Sequence, residues 1–397
     1  MKKCYDKMDY SELFSADTHN FMRSPVRDIF KKVDLSKIYS FAGGYPHPST
    51  FPTDRLASMV ETVREKYGAK ILQYGATQGI NELQEALSKR YDVPVENIQI
   101  TTSSQQGIDV TSRVLIDPGD VVLVADPSYL GAIQSFKSYR AEIVGLDLTQ
   151  SFEASRQRRA TLEALVSEGK KIKFFYTVPD FQNPSGETLT LAQRSELVAL
   201  AREFGFLILE DCPYRELRFE GQPQTTIYTL APERTVHLGS FSKVFAPGLR
   251  LGWMIADLEF LDKVYVCKQA LDLCPPVLDQ YLATEWLSSG ELDKNLEQTR
   301  KLYKGKRDLM ISMLEKYMPE GVSWTHPEGG LFLFLTLPEY IDTVALYDKA
   351  LAQGVAYVAG PFFYANGTHR NTMRLSYSFI DDEKIEPGIR ILASLIR

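Results

Sequence analysis

A lysine and an arginine stand seven residues apart in the stretch from Ser240 to Arg250, which reads Ser-Phe-Ser-Lys-Val-Phe-Ala-Pro-Gly-Leu-Arg. Lys243 follows a short apolar strand, where burial lowers the pKa of an amine and frees it to attack a carbonyl carbon. Arg250 can hold a phosphate by paired hydrogen bonds. The two together predict a phosphorylated aldehyde as ligand, such as pyridoxal 5′-phosphate (PLP). Taken alone, Lys243 could equally be a surface lysine after a strand.

Further polar groups stand at the ends of other predicted strands. A helix begins at Ser103-Ser104-Gln105, and its first backbone N–H groups could bind a phosphate. Ordinary helix capping explains these polar residues equally well. Asn183 lies in a loop after one strand, and Asp211 ends the next, close to Tyr214. A buried carboxylate there can keep a pyridine nitrogen protonated, while Asn183 and Tyr214 can bond the ring oxygen. Alone, Asp211 and Tyr214 could also be a strand cap and a core aromatic residue.

The elements that must position these groups predict an α/β fold. Continuous apolar strands such as Val121–Val124 and Phe206–Leu209 alternate with helices from about residue 98 onward, which is typical of a mostly parallel sheet covered by helices. Ligands of such sheets bind at the carboxyl ends of the strands, so we expect the groups to meet there. The final third has strands near 330–335 and 371–377 with helices between them, which indicates a smaller α+β domain.

This division predicts three parts of the chain. Residues 1–45 form an N-terminal arm that belongs to the small domain and can act as a lid. Residues 46–290 form the large PLP-binding domain, and residues 291–397 form the C-terminal small domain. A chain of 397 residues is long enough for a large and a small core.

Composition narrows the function classes. A net charge of −6 argues against nucleic-acid binding, since phosphate backbones need basic faces. No apolar run reaches the roughly 20 residues that a membrane helix needs. The four cysteines show no metal-type spacing with the histidines, so no metal is expected, and their usage fits a reducing compartment. The N-terminus has no apolar segment of a signal peptide, and we expect a cytoplasmic protein.

Four motifs in order and spacing resemble the fold-type-I PLP-dependent aminotransferases of class I/II. These motifs are Asn183-Pro184-Ser185-Gly186, Asp211-x-x-Tyr214, Ser240-Phe241-Ser242-Lys243 and Pro247-Gly248-Leu249-Arg250-Leu251-Gly252. From about residue 20 onward, further segments resemble the branch that holds 2-aminoadipate and kynurenine aminotransferases. These segments are Phe41-Ala42-Gly43-Gly44, Gln73-Tyr74-Gly75, Ser104-Gln105-Gln106-Gly107, Pro127-Ser128-Tyr129, Gly329-Gly330-Leu331-Phe332 and Met373-Arg374-Leu375-Ser376-Tyr377.

The resemblance implies a set of cofactor contacts. Lys243 would form the aldimine with PLP and shuttle a proton, and Asp211 would pair with the pyridinium nitrogen. Tyr214 and Asn183 would bond the ring oxygen, and Tyr129 would stack on the ring. The phosphate would be held by Ser104, Gln105, Ser240 and Arg250. Tyr74 would reach the phosphate of the neighbouring subunit, which implies a homodimer.

The same resemblance implies how substrate is held. Arg374 would clamp the α-carboxylate by two parallel hydrogen bonds, and Gly44 would let the backbone approach the substrate beside Asn183. Arg27 stands where the 2-aminoadipate branch has an arginine able to meet a distal carboxylate, although an exposed helix arginine is an equal interpretation. Tyr39, Tyr74, Tyr129 and Leu273 could form a pocket for aromatic or long aliphatic side chains.

These contacts imply transfer of an amino group from an L-amino acid, 2-aminoadipate-like, aromatic or of broad range, to a 2-oxo acid such as 2-oxoglutarate. Two alternatives remain open at this point. PLP-dependent lyases, decarboxylases and synthases of the same fold share Lys243, Asp211 and Arg250. The second alternative is a regulatory domain that senses PLP without catalysis. Such a domain follows a DNA-binding domain, for which we expect no room before residue 20.

Overall fold

The computed structural model describes residues 8–21 and 38–396 of the chain. The strands in these ranges are β1 (Tyr39–Ser40), β2 (Ile98–Thr101), β3 (Val121–Ala125), β4 (Glu142–Leu146), β5 (Ile172–Thr177), β6 (Leu207–Asp211), β7 (Thr235–Ser240), β8 (Gly252–Ile255), β9 (Ser323–Trp324), β10 (Phe332–Thr336), β11 (Val355–Ala356), β12 (Val358–Ala359) and β13 (Thr372–Ser376).

The α-helices of the described residues lie between these strands or flank them. They are α1 (Leu56–Tyr67), α2 (Asn81–Tyr91), α3 (Ser103–Leu115), α4 (Leu130–Ser138), α5 (Phe152–Ser167), α6 (Leu191–Phe204), α7 (Ile227–Leu230), α8 (Leu258–Leu271), α9 (Val277–Ser288), α10 (Glu291–Tyr317), α11 (Thr343–Ala352) and α12 (Asp382–Ile396). Thr190 and Gln193 form a capping box at the start of α6, and Gly205 ends that helix with a positive φ of 77°. None of these helices is long and apolar enough to cross a bilayer.

Seven strands form one sheet in the order β2-β8-β7-β6-β5-β3-β4. β8 runs antiparallel to its neighbours β2 and β7, while the other pairs are parallel. The predicted mostly parallel sheet is thus confirmed. The reversal of β8 has a simple cause, since residues 241–251 are fewer than a parallel crossover needs. This short return carries Lys243 and Arg250, so the connection itself places both side chains at the carboxyl end of β7.

Both faces of this sheet are covered by helices. Alternate residues of β3 point to opposite sides because side chains alternate along a strand. Val121 and Leu123 pack in a core with residues of α5 and α6, whereas Val122 and Val124 pack in the core that includes Ile108 of α3. Burial on both faces explains why the strand is apolar throughout.

The C-terminal part builds a separate, mainly antiparallel sheet. Its order is β12-β13-β10-β9, and Phe334 of β10 lies opposite Arg374 of β13. β1 pairs in parallel with β11. This pairing places Gly44, which follows β1, beside the four-stranded sheet. Gly44, Phe332 and Arg374 therefore lie near the carboxyl ends of β6 and β7.

Candidate active site

A cavity of about 690 Å³ lies where the two sheets face each other. Asp211 and Ser240 reach it from the ends of β6 and β7, and Ser103 reaches it from the start of α3. Phe332 and Arg374 reach it from the four-stranded sheet. As expected for an α/β sheet, the carboxyl ends of the parallel strands supply one wall.

Lys243 points into this cavity from the return between β7 and β8. Its Nζ donates a hydrogen bond of 2.9 Å to the backbone oxygen of Gly44. Burial, helped by the positive charges of Arg250 and Arg374, lowers the pKa of Lys243 to about 8. The amine is therefore a far better nucleophile near neutral pH than an ordinary lysine. Gly44 has no room for a side chain, because a Cβ there would lie 2.7 Å from Cζ of Phe332.

Two residues with strained backbones form a corner of the cavity that contains Lys243. Ser103 and Arg250 have positive φ angles of 62° and 50°, and each such non-glycine residue costs about 1 kcal/mol or more. Nη2 of Arg250 donates to Oγ of Ser103 at 2.5 Å. Ser240 Oγ accepts from the backbone N–H of Ser242 at 3.1 Å. The corner thus joins a guanidinium, two hydroxyls and the N-terminus of α3, all of which favour an anion.

Asp211 lies at the bottom of the cavity with one oxygen engaged and one free. Its Oδ2 accepts a hydrogen bond of 2.9 Å from the hydroxyl of Tyr176 at the end of β5. Its Oδ1 is buried and has no hydrogen-bond partner among the described residues. Burial raises the pKa of Asp211 to about 6, and Tyr176, His237 and Ser104 oppose that rise. A buried carboxylate oxygen without a donor is suited to a ligand N–H group.

Asn183, Tyr214 and Arg374 form a connected group on the opposite wall. Nη1 of Arg374 donates to Oδ1 of Asn183 at 2.7 Å, and Nη2 donates to the backbone oxygen of Ala42 at 2.5 Å. Burial raises the pKa of Tyr214, and the Asn183 amide opposes that rise. Phe332 packs under the Arg374 guanidinium, 4.3 Å from its ring centre. The contacts hold the arginine plane in a single orientation at the cavity wall.

The charged guanidinium of Arg374 is buried away from water. The residue is only 4% exposed, and its Nε has no hydrogen-bond partner within the described part of the chain. Burial lowers the pKa of Arg374 to about 10, because water solvates the charged guanidinium poorly at this position. A carboxylate ligand would supply the missing hydrogen bonds and the missing negative charge.

Gln105 faces the same cavity from α3, and Tyr129 faces it from the position just before α4. The hydroxyl of Tyr129 donates to Oε1 of Gln105 at 3.3 Å. Gly131 leaves space for this ring, because a Cβ at residue 131 would lie 2.5 Å from Cζ of Tyr129. Ser104 also lines the cavity beside Ser103. Each of the predicted cofactor residues except Tyr74 therefore borders one cavity.

Tyr74 lies elsewhere in the single chain. It is 79% exposed and lines a groove with Lys70 and Tyr281, outside the set of residues around the Lys243 cavity. Tyr39 belongs to β1, and Leu273 is exposed. Of the four residues predicted to form a side-chain pocket, Tyr129 alone is among the described residues that line this cavity. Arg27 lies outside the described residues.

Several residues at the site carried no signal in the sequence. Tyr176 contacts Asp211 from β5 without lining the cavity, and only its place near the carboxyl end of that strand could have pointed to it. Phe21 and Phe363 line the cavity from opposite ends of the chain, and no local pattern marks either one. The segment before Phe21 is fixed by an ion pair of 2.9 Å between Asp17 and Arg140, just beyond α4.

Glu210, Cys212 and His237 form a buried group behind the cavity floor, with ligand-type atoms within 4.8 Å of one another. The Glu210 carboxylate already accepts hydrogen bonds from the backbone N–H groups of Ile227 and Tyr228 at the start of α7. Its Oε2 also lies 2.8 Å from Nδ1 of His237. These bonds satisfy the carboxylate, so the group is explained as support for β6, β7 and α7.

The donor set of the cavity fits PLP on its own chemistry. Asp211 offers the unpartnered oxygen for a protonated ring nitrogen, and Lys243 offers a low-pKa amine for the aldehyde. The corner of Ser103 and Arg250 offers a site for a dianionic phosphate. Arg374 remains for a second anion, which matches the carboxylate of an amino acid.

Comparison with known proteins agrees with this geometry. Residues 42–392 match the family described as aminotransferase class I and II. Aromatic-amino-acid aminotransferase 1 of Thermococcus litoralis is 42% identical over 397 residues, covering 98% of this chain and 95% of that protein. The 2-aminoadipate transaminase of Thermus thermophilus is 35% identical over 396 residues, covering 98% of each.

A solved structure gives the same answer at the level of the fold. The crystal structure of Pyrococcus horikoshii kynurenine aminotransferase in complex with PMP superimposes with a TM-score of 0.93 at 42% identity, covering 98% of each chain. The chain therefore belongs to the class I and II aminotransferase family and has the fold-type-I architecture. It is a PLP-dependent aminotransferase.

Proposed function

We propose that this enzyme transfers the amino group of aromatic or long-chain L-amino acids, 2-aminoadipate and kynurenine among them, to a 2-oxo acid such as 2-oxoglutarate. The observation that carries the proposal is the pair of anion sites on either side of Lys243. One is the corner of Ser103 and Arg250, and the other is buried Arg374. The named relatives act on aromatic amino acids, 2-aminoadipate and kynurenine, which sets the range of side chains.

The residues that would hold PLP follow from the cavity. Arg250, Ser104, Gln105 and Ser240 would bind the phosphate, and Tyr129 would lie against the ring. The free Oδ1 of Asp211 would accept a hydrogen bond from the protonated ring nitrogen. The hydroxyl of Tyr176 holds the other carboxylate oxygen in place. Asn183 and Tyr214 would bond the ring oxygen. When bound, PLP supplies an electron sink for the negative charge that develops at Cα of the substrate.

The chain itself supplies orientation and proton transfer. Arg374 binds the α-carboxylate by two parallel hydrogen bonds and so fixes how Cα is presented. Nζ of Lys243, neutral in a useful fraction because of its low pKa, then removes the proton from Cα. The same nitrogen holds that proton until it is returned. Because Arg374 retains the carboxylate, loss of the proton is favoured over loss of carbon dioxide.

Aromatic and aliphatic residues form part of the remaining cavity wall, beside the polar residues Asp109, Gln134, Ser135 and Ser138. Phe21, Leu130 and Phe363 belong to the aromatic and aliphatic part, together with Tyr45. The described cations that border the cavity are Lys243, Arg250 and Arg374, all of which already have roles at the reacting end. Aromatic and aliphatic side chains therefore fit better than short acidic ones. A distal carboxylate, as in 2-aminoadipate, would depend on Arg27, whose role stays a prediction.

We further infer that the active unit is a homodimer. Tyr74 is largely exposed and lies outside its own cavity, as expected if it completes the phosphate site of a neighbouring subunit. The neighbouring Leu72 is also largely exposed, at 83%. The division into an arm (1–45), a large domain (46–290) and a small domain (291–397), and the cytoplasmic location, remain predictions.

A half-reaction screen tests the proposal. The PLP-loaded enzyme would be mixed with single L-amino acids, and the conversion of bound PLP to pyridoxamine phosphate would be followed by absorbance. We expect conversion with aromatic amino acids, kynurenine and 2-aminoadipate, and slower conversion with aspartate. Borohydride reduction and peptide mapping should place the phosphopyridoxyl group on Lys243, and Lys243→Ala should lose it. No conversion with any amino acid would refute the proposal.

A further inference from the structure

The turn at the N-terminus of α3, which carries Ser103, Ser104 and Gln105, is held by a side-chain network outside the cavity. Thr102 and Gln106 stand on either side of this turn and are not among the described residues that line the cavity. The backbone N–H of Thr102 donates to Oε1 of Gln106 at 2.8 Å, which closes the turn upon itself.

Both flanking residues are fixed by one carboxylate from another helix. Oδ2 of Asp272, the residue that follows α8, accepts from Nε2 of Gln106 at 2.7 Å and from Oγ1 of Thr102 at 3.0 Å. Asp272 is thus bonded to the residue before the turn and to the residue after it. These contacts join parts of the chain that are about 170 residues apart.

Lys268 holds that carboxylate in place. Its Nζ donates to Oδ1 and Oδ2 of Asp272 at 2.6 and 2.8 Å. The lysine side chain is 0% exposed and the aspartate side chain 25% exposed. A buried ammonium needs such a partner, and the pair lacks the freedom of a surface ion pair. The carboxylate is therefore a rigid anchor for the turn.

The turn needs an anchor because its backbone is strained. Ser103 has a φ of 62°, which a serine adopts rarely, and its Oγ receives the hydrogen bond from Arg250. Gly252 of β8 packs against it so closely that a Cβ at residue 252 would lie 2.9 Å from Cα of Ser103. The surroundings must over-determine such a conformation for it to persist.

We propose that Asp272, held by Lys268, is a positioning residue for the phosphate end of the cofactor site. It acts through Thr102 and Gln106, keeping the N–H groups and hydroxyls of Ser103-Ser104-Gln105 aimed into the cavity. The inference rests on the proposed binding of the PLP phosphate at this turn. Geometry held from behind in this way commonly sets ligand affinity without contact to the ligand.

Two variants test the role. Asp272→Asn removes the charge that faces Lys268, and Gln106→Met removes the link to the turn while leaving the ion pair intact. Apoprotein of each would be titrated with PLP to obtain the Kd, and the phosphorus-31 chemical shift of the bound phosphate would be recorded. We expect the Kd to rise about tenfold or more in both variants, together with a changed chemical shift.

Asp308→Asn is the matched control, because Lys304 and Asp308 form an ion pair of the same spacing on α10, away from the cavity. Its Kd should stay within about twofold of the parent. Melting of each apoprotein separates positioning from folding. Should Asp272→Asn fail to fold, Gln106→Met decides alone.

The proposal is wrong if Gln106→Met, or a folded Asp272→Asn, keeps the parental Kd and chemical shift. It is equally wrong if only the melting temperature of the apoprotein falls. A parent protein that shows no saturable binding of PLP would instead refute the proposed function, and with it the basis of this inference.

Discussion

The hydroxyl of Tyr176 donates a hydrogen bond of 2.9 Å to Oδ2 of Asp211, while the buried Oδ1 has no hydrogen-bond partner among the described residues. Both residues are fully or almost fully buried at the ends of adjacent parallel strands. The bond lowers the pKa of a carboxyl group that burial has raised to about 6. It therefore favours the ionised form that a protonated ring nitrogen requires.

Tyr176→Phe should raise the pKa of Asp211 further, because the donor that favours the carboxylate is lost. Less of the carboxylate is then ionised at a given pH, so the acid limb of the kcat profile should move to higher pH. We expect kcat near neutral pH to fall about tenfold with little change in KM. Steady-state kinetics across pH measures both effects.

The control for this change is Tyr357→Phe, since the buried hydroxyl of Tyr357 donates to the backbone oxygen of Thr343 in the C-terminal part. It should leave the pH profile in place even if stability falls. A Tyr176→Phe enzyme with the parental pH profile would contradict the role given to this bond.

Asp211→Asn should stabilise the apoprotein at neutral pH, although it weakens the hold on the ring nitrogen. The folded-state pKa of about 6 lies above the ordinary value of 3.8, so ionisation of Asp211 opposes folding increasingly above pH 3.8 and fully above about pH 6. Removing that charge should add about 1–3 kcal/mol to the unfolding free energy at pH 7.5. The gain should shrink as pH falls from about 6 towards 3.8, because the parental carboxyl then becomes protonated.

Urea unfolding of the two apoproteins at several pH values measures this dependence. Asp342→Asn provides the opposite case. Burial would raise the pKa of Asp342, but the bonds from Arg370 and from backbone N–H groups hold it below the ordinary value. That variant should lose stability at neutral pH. Equal changes in both variants would argue against the charge-based explanation.

Arg374→Lys should separate substrate binding from cofactor binding. Lysine keeps the positive charge but cannot give two parallel hydrogen bonds to a carboxylate. It also loses the planar contact with Phe332, whose ring centre lies 4.3 Å from the guanidinium. We expect kcat/KM for amino acids to fall about 100-fold, a loss typical of a buried charged hydrogen-bond pair.

The Kd for PLP should stay near the parental value in this variant, and a titration of the apoprotein checks it. A parallel loss of PLP affinity would show that Arg374 supports the cofactor rather than the substrate carboxylate.

Tyr74 offers a test of the dimer. Tyr74→Ala and Lys243→Ala homodimers should each have little activity. Mixed after mild dissociation, they form hybrids in which one site combines Lys243 of one subunit with Tyr74 of the other. Recovered activity should approach about one quarter of the parent value, since half of the dimers are hybrids and each has one complete site.

The control takes each variant alone through the same dissociation and reassociation, and neither should recover activity. If the hybrid also stays inactive while the subunits are shown to exchange, Tyr74 does not act across the interface.

Much of this site could be predicted from the sequence because its motifs are local. The strand that ends at Asp211, the helix that opens at Ser103 and the return that carries Lys243 and Arg250 are each set by a few neighbouring residues. Apolar runs fixed the parallel sheet, and the ends of its strands fixed where the groups meet. The direction of β8 was not anticipated, although the short return from β7 determines it.

The tertiary structure decided what a local pattern cannot express. Lys243 donates to the carbonyl of Gly44 from 199 residues away, and Asp272 bonds Thr102 from 170 residues away. A hydrogen-bond partner or a lowered pKa depends on which distant elements share a boundary and exclude water there. The sequence by itself therefore predicted which side chains would do the chemistry. Only the fold decided which oxygen of Asp211 lacks a hydrogen-bond partner and which residues bond to the turn at Ser103.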